Sequence, residues 1–495
     1  MKITTKLTNL MTFMAVLSLC LAGSFAIQSA GQLDPDVSWI NYGVGRLLQG
    51  DRLYRDIVEI NPPFIYVIST PPIWLARTLG FGENGFYLAW VLLIATFSSL
   101  ISYFVLVRGS AKRFDGYFGM TLAHVALVTL MIGESFGQRE HVLFMLLAPY
   151  VYLCAIRLEN QSAPTSMAAC IGGCAALGIA LKPHYILVPV CLELLLLLKR
   201  RVSPYNVVRP EIIAGFATAV FLIVTVALSY PEFISEIVPL AQRAYLPFAK
   251  EHSLVIWSLF AELILLVSAY AILAFPVRFA SPSGALTIAA FSSSIAMLLQ
   301  YRGFLYQMLP TLFFLLSATF FWIFSRDRAK LLISFFLGIG AITVLFNINS
   351  PWAFPSSHAG SLALLRGKSI AVLSTNISDA FPRVPSLGLV WTLRFPCLWF
   401  MPFINSVDRA IEKNQPVEQA DVVLANALRR QTVDDLICRK PELILLQSFT
   451  SQLLSNPVDH LAILGKDQRF AAFFSDYVKT GEIDKYILFS RKPQR

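Results

Sequence analysis

Charge is scarce in this chain. Of its 495 residues only 14% are Asp, Glu, Lys or Arg, against about a quarter in soluble globular proteins. With 56% of residues hydrophobic and a mean hydropathy of +0.63, the soluble globular class is excluded. Cysteine is scarce too. Cys20, Cys154, Cys170, Cys174, Cys191, Cys397 and Cys438 give neither a CxxC metal motif nor a disulfide framework. All but Cys397 and Cys438 sit in apolar runs, where a thiol behaves as a small hydrophobe. No internal repeat or low-complexity segment is present, which counts against the repeated halves of many transporters. The net charge of +10 does not point to nucleic acid. Much of it lies in short loops between apolar runs, where anionic lipid headgroups attract Lys and Arg.

What the chain has in abundance is membrane-length apolar sequence. A hydrocarbon core of ~30 Å takes roughly 17–25 apolar residues per helix, and hydropathy predicts about eleven spans. They run near 8–28, 86–107, 116–134, 141–157, 166–181, 184–199, 211–230, 254–276, 284–300, 305–324 and 331–348. The first is read as an uncleaved helix, because the apolar stretch is long and lacks a strong small-x-small cleavage site. Placing the N-terminus in the cytoplasm puts Lys2, Lys6, Arg108, Lys112, Arg113, Arg157, Lys199, Arg200, Arg201, Arg209, Arg278, Arg326, Arg328 and Lys330 inside, against Arg46, Arg52, Arg55, Arg77, Arg139, Lys182, Arg243, Lys250 and Arg302 outside. That excess satisfies the positive-inside rule. An odd number of spans then puts the region after 350 outside. The expected division is a transmembrane domain over 1–350, with an outer loop over 29–85, and an extracytoplasmic α/β domain over 351–495.

The outer loop concentrates the chemistry. Directly after the first span come Asp34-Pro35-Asp36, then Arg46, Asp51, Arg55-Asp56, Glu59 and Asn61-Pro62-Pro63. Val37, Ile40, Val44, Leu47 and Leu48 recur at helical spacing, with Asp36 available as N-cap, so a short amphipathic helix lying in the membrane interface is predicted. A second helix begins at Phe64, and Pro71-Pro72 is expected to interrupt it. Residues 231–253 form another outer loop, with Phe233, Ile237 and Leu240 on one face. In the last domain, Ser369–Ser374 and Glu442–Gln447 read as buried strands, 418–437 as a helix, and Tyr486–Phe489 as a last strand. Phe470, Phe473, Phe474 and Tyr477 line one predicted helix face.

Acids, bases and amides gather at the outer helix ends: Asp34, Asp36, Arg55, Asp56, Glu59, Asn61, Gln138, Arg139, Glu140, His141, Lys182, His184, Gln300, Arg302 and Gln307. The inner loops hold mostly Lys and Arg. Attack of a hydroxyl on an activated sugar needs a carboxylate base, and a departing phosphate needs cations. Asp34 or Asp36 suits the first role. Arg139, Lys182, His184 and Arg302 suit the second. Plainer roles stand beside these. Asp36 can be a helix cap, Asp34 a solvated loop acid and Arg55-Asp56 a surface ion pair. Lys182 can snorkel to the interface, and Gln138-Arg139-Glu140-His141 can be structural hydrogen-bonding groups.

The acidic pair after the first helix, the run Gly50-Asp51-Arg52-Leu53-Tyr54-Arg55-Asp56 and Asn61-Pro62-Pro63 resemble the GT-C superfamily of polytopic glycosyltransferases. Gly137–His141, Leu181–His184 and Arg302–Gln307 are similar to further patches in its bacterial members. The resemblance covers roughly residues 1–350. It implies a GT-C-like fold, a polyprenyl-phosphate-linked sugar donor, a glycan or lipid acceptor, and inversion in a single displacement on the periplasmic face of a bacterial inner membrane. It carries the base role to Asp34, with Asp36 as the alternative base or as ligand to a divalent metal. Arg55, Asp56, Glu59, Asn61, Arg139, Glu140, Lys182, His184 and Arg302 become candidates for binding substrate. The rival classes are a transporter or flippase, and a non-catalytic partner in envelope polysaccharide assembly.

Overall fold

The computed structural model describes residues 2–107, 114–200, 208–246, 281–300, 305–324, 366–447, 458–483 and 486–493. The spans expected at 254–276 and 331–348 lie outside the described residues, as does Arg302. The contacts divide the chain into two compact units. One contains 1–33, 62–226 and 255–351, and the other contains 34–61, 227–254 and 352–495. The acidic loop thus belongs to the same unit as the C-terminal region.

The first unit is helical. Its described elements are α1 (Lys2–Ala30), α3 (Phe64–Leu79), α4 (Glu83–Val107), α5 (Phe114–Thr129), α6 (Arg139–Arg157), α7 (Thr165–Leu181), α8 (Leu187–Arg200), α9 (Pro210–Ser229), α10 (Pro282–Leu298) and α11 (Leu309–Phe324). All but α3 overlap spans predicted there. Segments of α1, α4, α6 and α9 are long and apolar enough to cross a membrane, and α7, α10 and the last helix are shorter apolar helices. The chain is built as a membrane protein.

α6 sits at the centre, buried along its whole length. At mid-helix, His124 of α5 ties three other helices together: Ser98 of α4 lies 3.0 Å from its Nε2, Tyr152 of α6 lies 3.1 Å from its Nδ1, and Tyr152 in turn lies 3.3 Å from Ser317 of α11. In a membrane interior every polar group needs such an internal partner. The expected break at Pro71-Pro72 does not occur, since α3 runs through both prolines. Paired prolines remove two N–H donors from the helix ladder, but Thr70 Oγ1 donates to the Tyr66 carbonyl at 2.8 Å and Ile73 and Ala76 are fully buried. Packing outweighs the local penalty here.

The second unit is built on a five-stranded sheet in the order β2-β1-β3-β5-β4. Its strands are β1 (Ser369–Leu373), β2 (Val390–Trp391), β3 (Leu443–Gln447), β4 (Tyr477–Ile483) and β5 (Tyr486–Arg491). β2, β1 and β3 are parallel; β5 and β4 run antiparallel as a terminal hairpin. β1, β3 and β5 match the predicted strands, whereas β2 and β4 carry no strand pattern in the sequence. Tyr477 opens β4 instead of extending a helix, yet its ring still joins Phe473 at 4.9 Å and Phe474 at 6.1 Å. The connecting helices are α12 (Met401–Glu412), α13 (Gln419–Arg439), α14 (His460–Gly465) and α15 (Gln468–Phe474).

Candidate active site

In the second unit the acidic loop forms α2 (Pro35–Leu47) and the turns that come after it. The helix starts at Asp34, not Asp36. Pro35 has no N–H and a fixed φ suited to the first helical position, so the residue before it takes the cap. Asp34 Oδ1 accepts from the backbone N–H of Asp36 at 2.8 Å and of Val37 at 3.3 Å. Asp34 and Asp36 both remain half-buried at this helix start.

The apolar face of α2 is covered by protein instead of meeting a membrane interface. Trp39 is 1% exposed and packs edge-on to Phe381 at 5.3 Å, and the Tyr42 hydroxyl accepts from the Trp391 N–H at 2.9 Å. Arg46, also buried, fastens the far end. Its guanidinium pairs with Asp51 at 2.6 Å and donates to the Leu393 carbonyl at 3.3 Å and the Asp56 carbonyl at 3.0 Å.

Glu59 is consumed inside the loop. It accepts from the Trp39 indole at 3.0 Å, the Asn61 backbone at 3.1 Å and the Asn61 amide at 2.5 Å. Earlier in the loop Tyr54 adopts φ +71°, a left-handed conformation that aromatic residues rarely use. It is held there by its N–H to the Ile57 carbonyl at 2.7 Å, its hydroxyl to the Asn61 carbonyl at 2.7 Å, and Tyr230 and Phe233 against its ring. A strained residue fixed from several sides is a mark of a site whose shape matters.

Arg55 and Asp56 do not pair with each other. Arg55 is exposed and bonds Glu232 at 2.5 Å. Burial pushes the Asp56 carboxyl up, but the Arg52 N–H at 2.9 Å and guanidinium at 3.3 Å, with Arg46 nearby, outweigh this and hold it below the usual carboxylate range. The 231–253 loop is helical where described, over Phe233–Tyr245, and buries Ile237 and Leu240 as its spacing predicted.

The carboxyl ends of parallel strands are where open α/β sheets bind ligands, and here they carry Asp379 and Cys397. Ser374 after β1 donates to Asp379 and lies 3.0 Å from Gln447 Oε1. Burial pushes the Cys397 thiol up against a backbone bond from Trp399, and the charges of Asp36, Asp379 and Glu59 push the same way. Sequence reasoning missed Trp39, Asp379 and Cys397. Only knowledge that β1 and β2 are parallel neighbours would have drawn attention to the segments leaving their carboxyl ends.

In the first unit, α6 and the turn after α7 form a second cluster. Lys182 Nζ lies 2.6 Å from Glu140 Oε1 and 2.8 Å from Gln300 Oε1, over the Tyr306 ring at 5.8 Å. Glu140 is fully buried and Lys182 is 6% exposed. Lys182 therefore pairs inward and does not snorkel. Arg139 is 5% exposed beside them in sequence, and His184 is half-buried with its ring tilted on Tyr185 at 5.3 Å. His141 serves the structure. Its Nδ1 accepts from the Gly137 N–H at 3.1 Å, so Nε2 carries the proton donated to the Val128 carbonyl at 3.0 Å.

The predicted site residues thus fall into Asp34, Asp36, Arg55, Asp56, Glu59 and Asn61 in one unit, and Arg139, Glu140, Lys182 and His184 in the other. Among the described residues no three His, Cys, Asp or Glu are placed to hold a metal ion.

No family model matches the sequence, and no curated protein does. Among solved structures the chain is similar to ArnT from Cupriavidus metallidurans bound to undecaprenyl phosphate, at 12% identity over 98% of this chain and 99% of that one, with a TM-score of 0.46. It is also similar to the arabinofuranosyltransferase AftD from Mycobacteria, at 15% identity and a TM-score of 0.45. That match takes in 97% of this chain but 40% of AftD.

Proposed function

We propose that this chain is a GT-C-type membrane glycosyltransferase that moves a sugar from a polyprenyl-phosphate carrier to an envelope glycan or lipid acceptor, on the periplasmic face of a bacterial inner membrane. The observation that carries the reading is the state of the acids in the first outer loop. Glu59 is buried and bonded to Trp39 and Asn61, and Asp34 and Asp36 are half-exposed at the start of a helix whose other faces are fastened down. In this reading Asp34 takes the proton from the acceptor hydroxyl while the sugar carbon is attacked in line, and the phosphate leaves. Its capping bonds, both made through Oδ1, fix the orientation of the carboxylate. Asp36 is the alternative base. A departing phosphate needs cationic groups, and Arg139, Lys182 and Arg302 are the candidates for that role. Arg55, Asp56, Glu59 and Asn61 act through the shape of the loop.

Asn caps helices as well as Asp does, so Asp34→Asn preserves α2 while removing the base. Transfer should fall about 10²–10⁴-fold, read as sugar incorporation by purified protein from a polyprenyl-phosphate donor. Full activity in that variant removes Asp34 from the role, and loss only in Asp36→Asn moves the role there. Glycosidic-bond formation in proteoliposomes separates the enzyme from a flippase. Linkage analysis of envelope glycans with and without the protein identifies sugar and acceptor.

A further inference from the structure

A half-open groove of about 300 Å³ lies across the sheet edge where β1 and β3 begin and β5 ends, lined by Lys368, Glu442, Ser490, Arg491 and Lys492. This is the opposite end of the parallel strands from Ser374 and Asp379. In this unit Arg46, Arg394, Arg429 and Lys466 are bonded to carboxylates. In the groove, among the described residues, none of the cations is. Arg491 Nη1 donates to the Lys440 carbonyl at 2.9 Å and Lys492 Nζ to the Ser475 carbonyl at 2.8 Å. Carbonyls position these cations without neutralising them.

The one carboxylate in the lining, Glu442, is bonded to Ser369. It accepts from the Ser369 N–H at 3.0 Å and hydroxyl at 3.3 Å. Strand pairing fixes the spacing, since the Arg491 N–H donates to the Glu442 carbonyl at 3.0 Å and the Glu442 N–H to Ser369 Oγ at 2.9 Å. Three cations on adjoining strand ends outnumber the one carboxylate beside them and make a preformed anion cradle. The volume is about ten times that of a water, more than a lone inorganic anion fills.

We propose that this groove binds a phosphate-bearing ligand, with Lys368, Arg491 and Lys492 as its cationic contacts. Planar guanidinium and mobile ammonium groups together suit a tetrahedral oxyanion. The phosphate can belong to a soluble diphosphate or to a phospholipid headgroup, and both present the same chemistry. The inference does not depend on sugar transfer, because it is read by binding alone.

The test uses the full-length protein in detergent, titrated calorimetrically with inorganic pyrophosphate in one arm and short-chain phosphatidylglycerol in the other. Saturable binding that weakens with salt is expected in at least one arm. Lys368→Ala/Lys492→Ala should weaken it about tenfold or more with an unchanged melting temperature. Glu442→Gln keeps an acceptor for Ser369 but removes the only negative charge, and should tighten binding. Binding of pyrophosphate assigns recognition to phosphate itself; binding of the phospholipid alone assigns it to a membrane headgroup. Absence of binding in both arms, or equal binding by wild type and both variants, overturns the proposal.

Discussion

Asp34 and Asp36 stand two residues apart and are held differently. The difference comes from Pro35, which moves the cap to an earlier position than apolar spacing suggests. The sequence shows that acids follow the first helix, but not which of them meets backbone N–H groups. The same holds for Glu59: its charge is legible, while its partners Trp39 and Asn61 are defined only by the fold. Glu59→Ala leaves the buried Trp39 indole unpaired and should cost about 1–3 kcal/mol, measured by chemical denaturation of the second unit's tryptophan fluorescence. Breaking a buried ion pair from one side is more severe. Lys182→Ala strands the Glu140 carboxylate and should cost about 3–5 kcal/mol, recovered in part by Glu140→Gln/Lys182→Ala in thermal melts. His460, the first residue of α14, is 3% exposed, and burial lowers its pKa to about 4 despite Asp459. The unfolded chain binds that proton below about pH 6.5. The stability due to neutral His460 is therefore complete above pH 6.5 and lost as pH falls through 4. His460→Phe should flatten the pH dependence of melting over that window.

Element boundaries were readable wherever one physical signal dominates. Apolar length marks the bundle helices, and short β-branched or leucine-rich runs mark β1, β3 and β5. β2 was missed because two residues leave no pattern, and β4 because Val478, Lys479 and Thr480 are exposed. The proline pair in α3 misled for the opposite reason: a strong local rule yielded to burial. Helix crossings are also invisible to hydropathy. Gly172 of α7 faces Glu211 of α9 so closely that a Cβ would land on the Glu211 backbone, and Gly215 lies against Gly172 in turn. Small residues of this kind let membrane helices approach. Gly172→Leu should separate α7 from α9 and lower the melting temperature in detergent by several degrees, with Gly173→Leu, where the neighbour is only the Thr218 hydroxyl at 3.3 Å, the milder control.

At the scale of the whole molecule, the division of the chain was the least legible feature. Amphipathic spacing shows that α2 has a face to cover, but not whether lipid or protein covers it. The cover is made by residues from Phe381 to Arg394, far away in sequence. A protein truncated after residue 351 lacks Phe381, Trp391 and Leu393, so the loop should lose its shape while the helical unit still inserts. Limited trypsin digestion followed by mass spectrometry reads this directly. Cleavage after Arg46 should be slow in the full chain, where that residue is 6% exposed, and rapid in the truncated one.

Tyr42 and Trp391 are bonded across 349 residues, and the strand that completes the sheet, β5, is the last described element of the chain. At about 5–20 residues per second of synthesis, the acidic loop emerges roughly 20–70 s before the surface that shapes it exists. For that interval the rings of Trp39 and Tyr42 lack Phe381, and the Tyr42 hydroxyl lacks the Trp391 N–H. The shaping of the loop is thereby timed by synthesis of the segment that carries Phe381, Trp391 and Leu393.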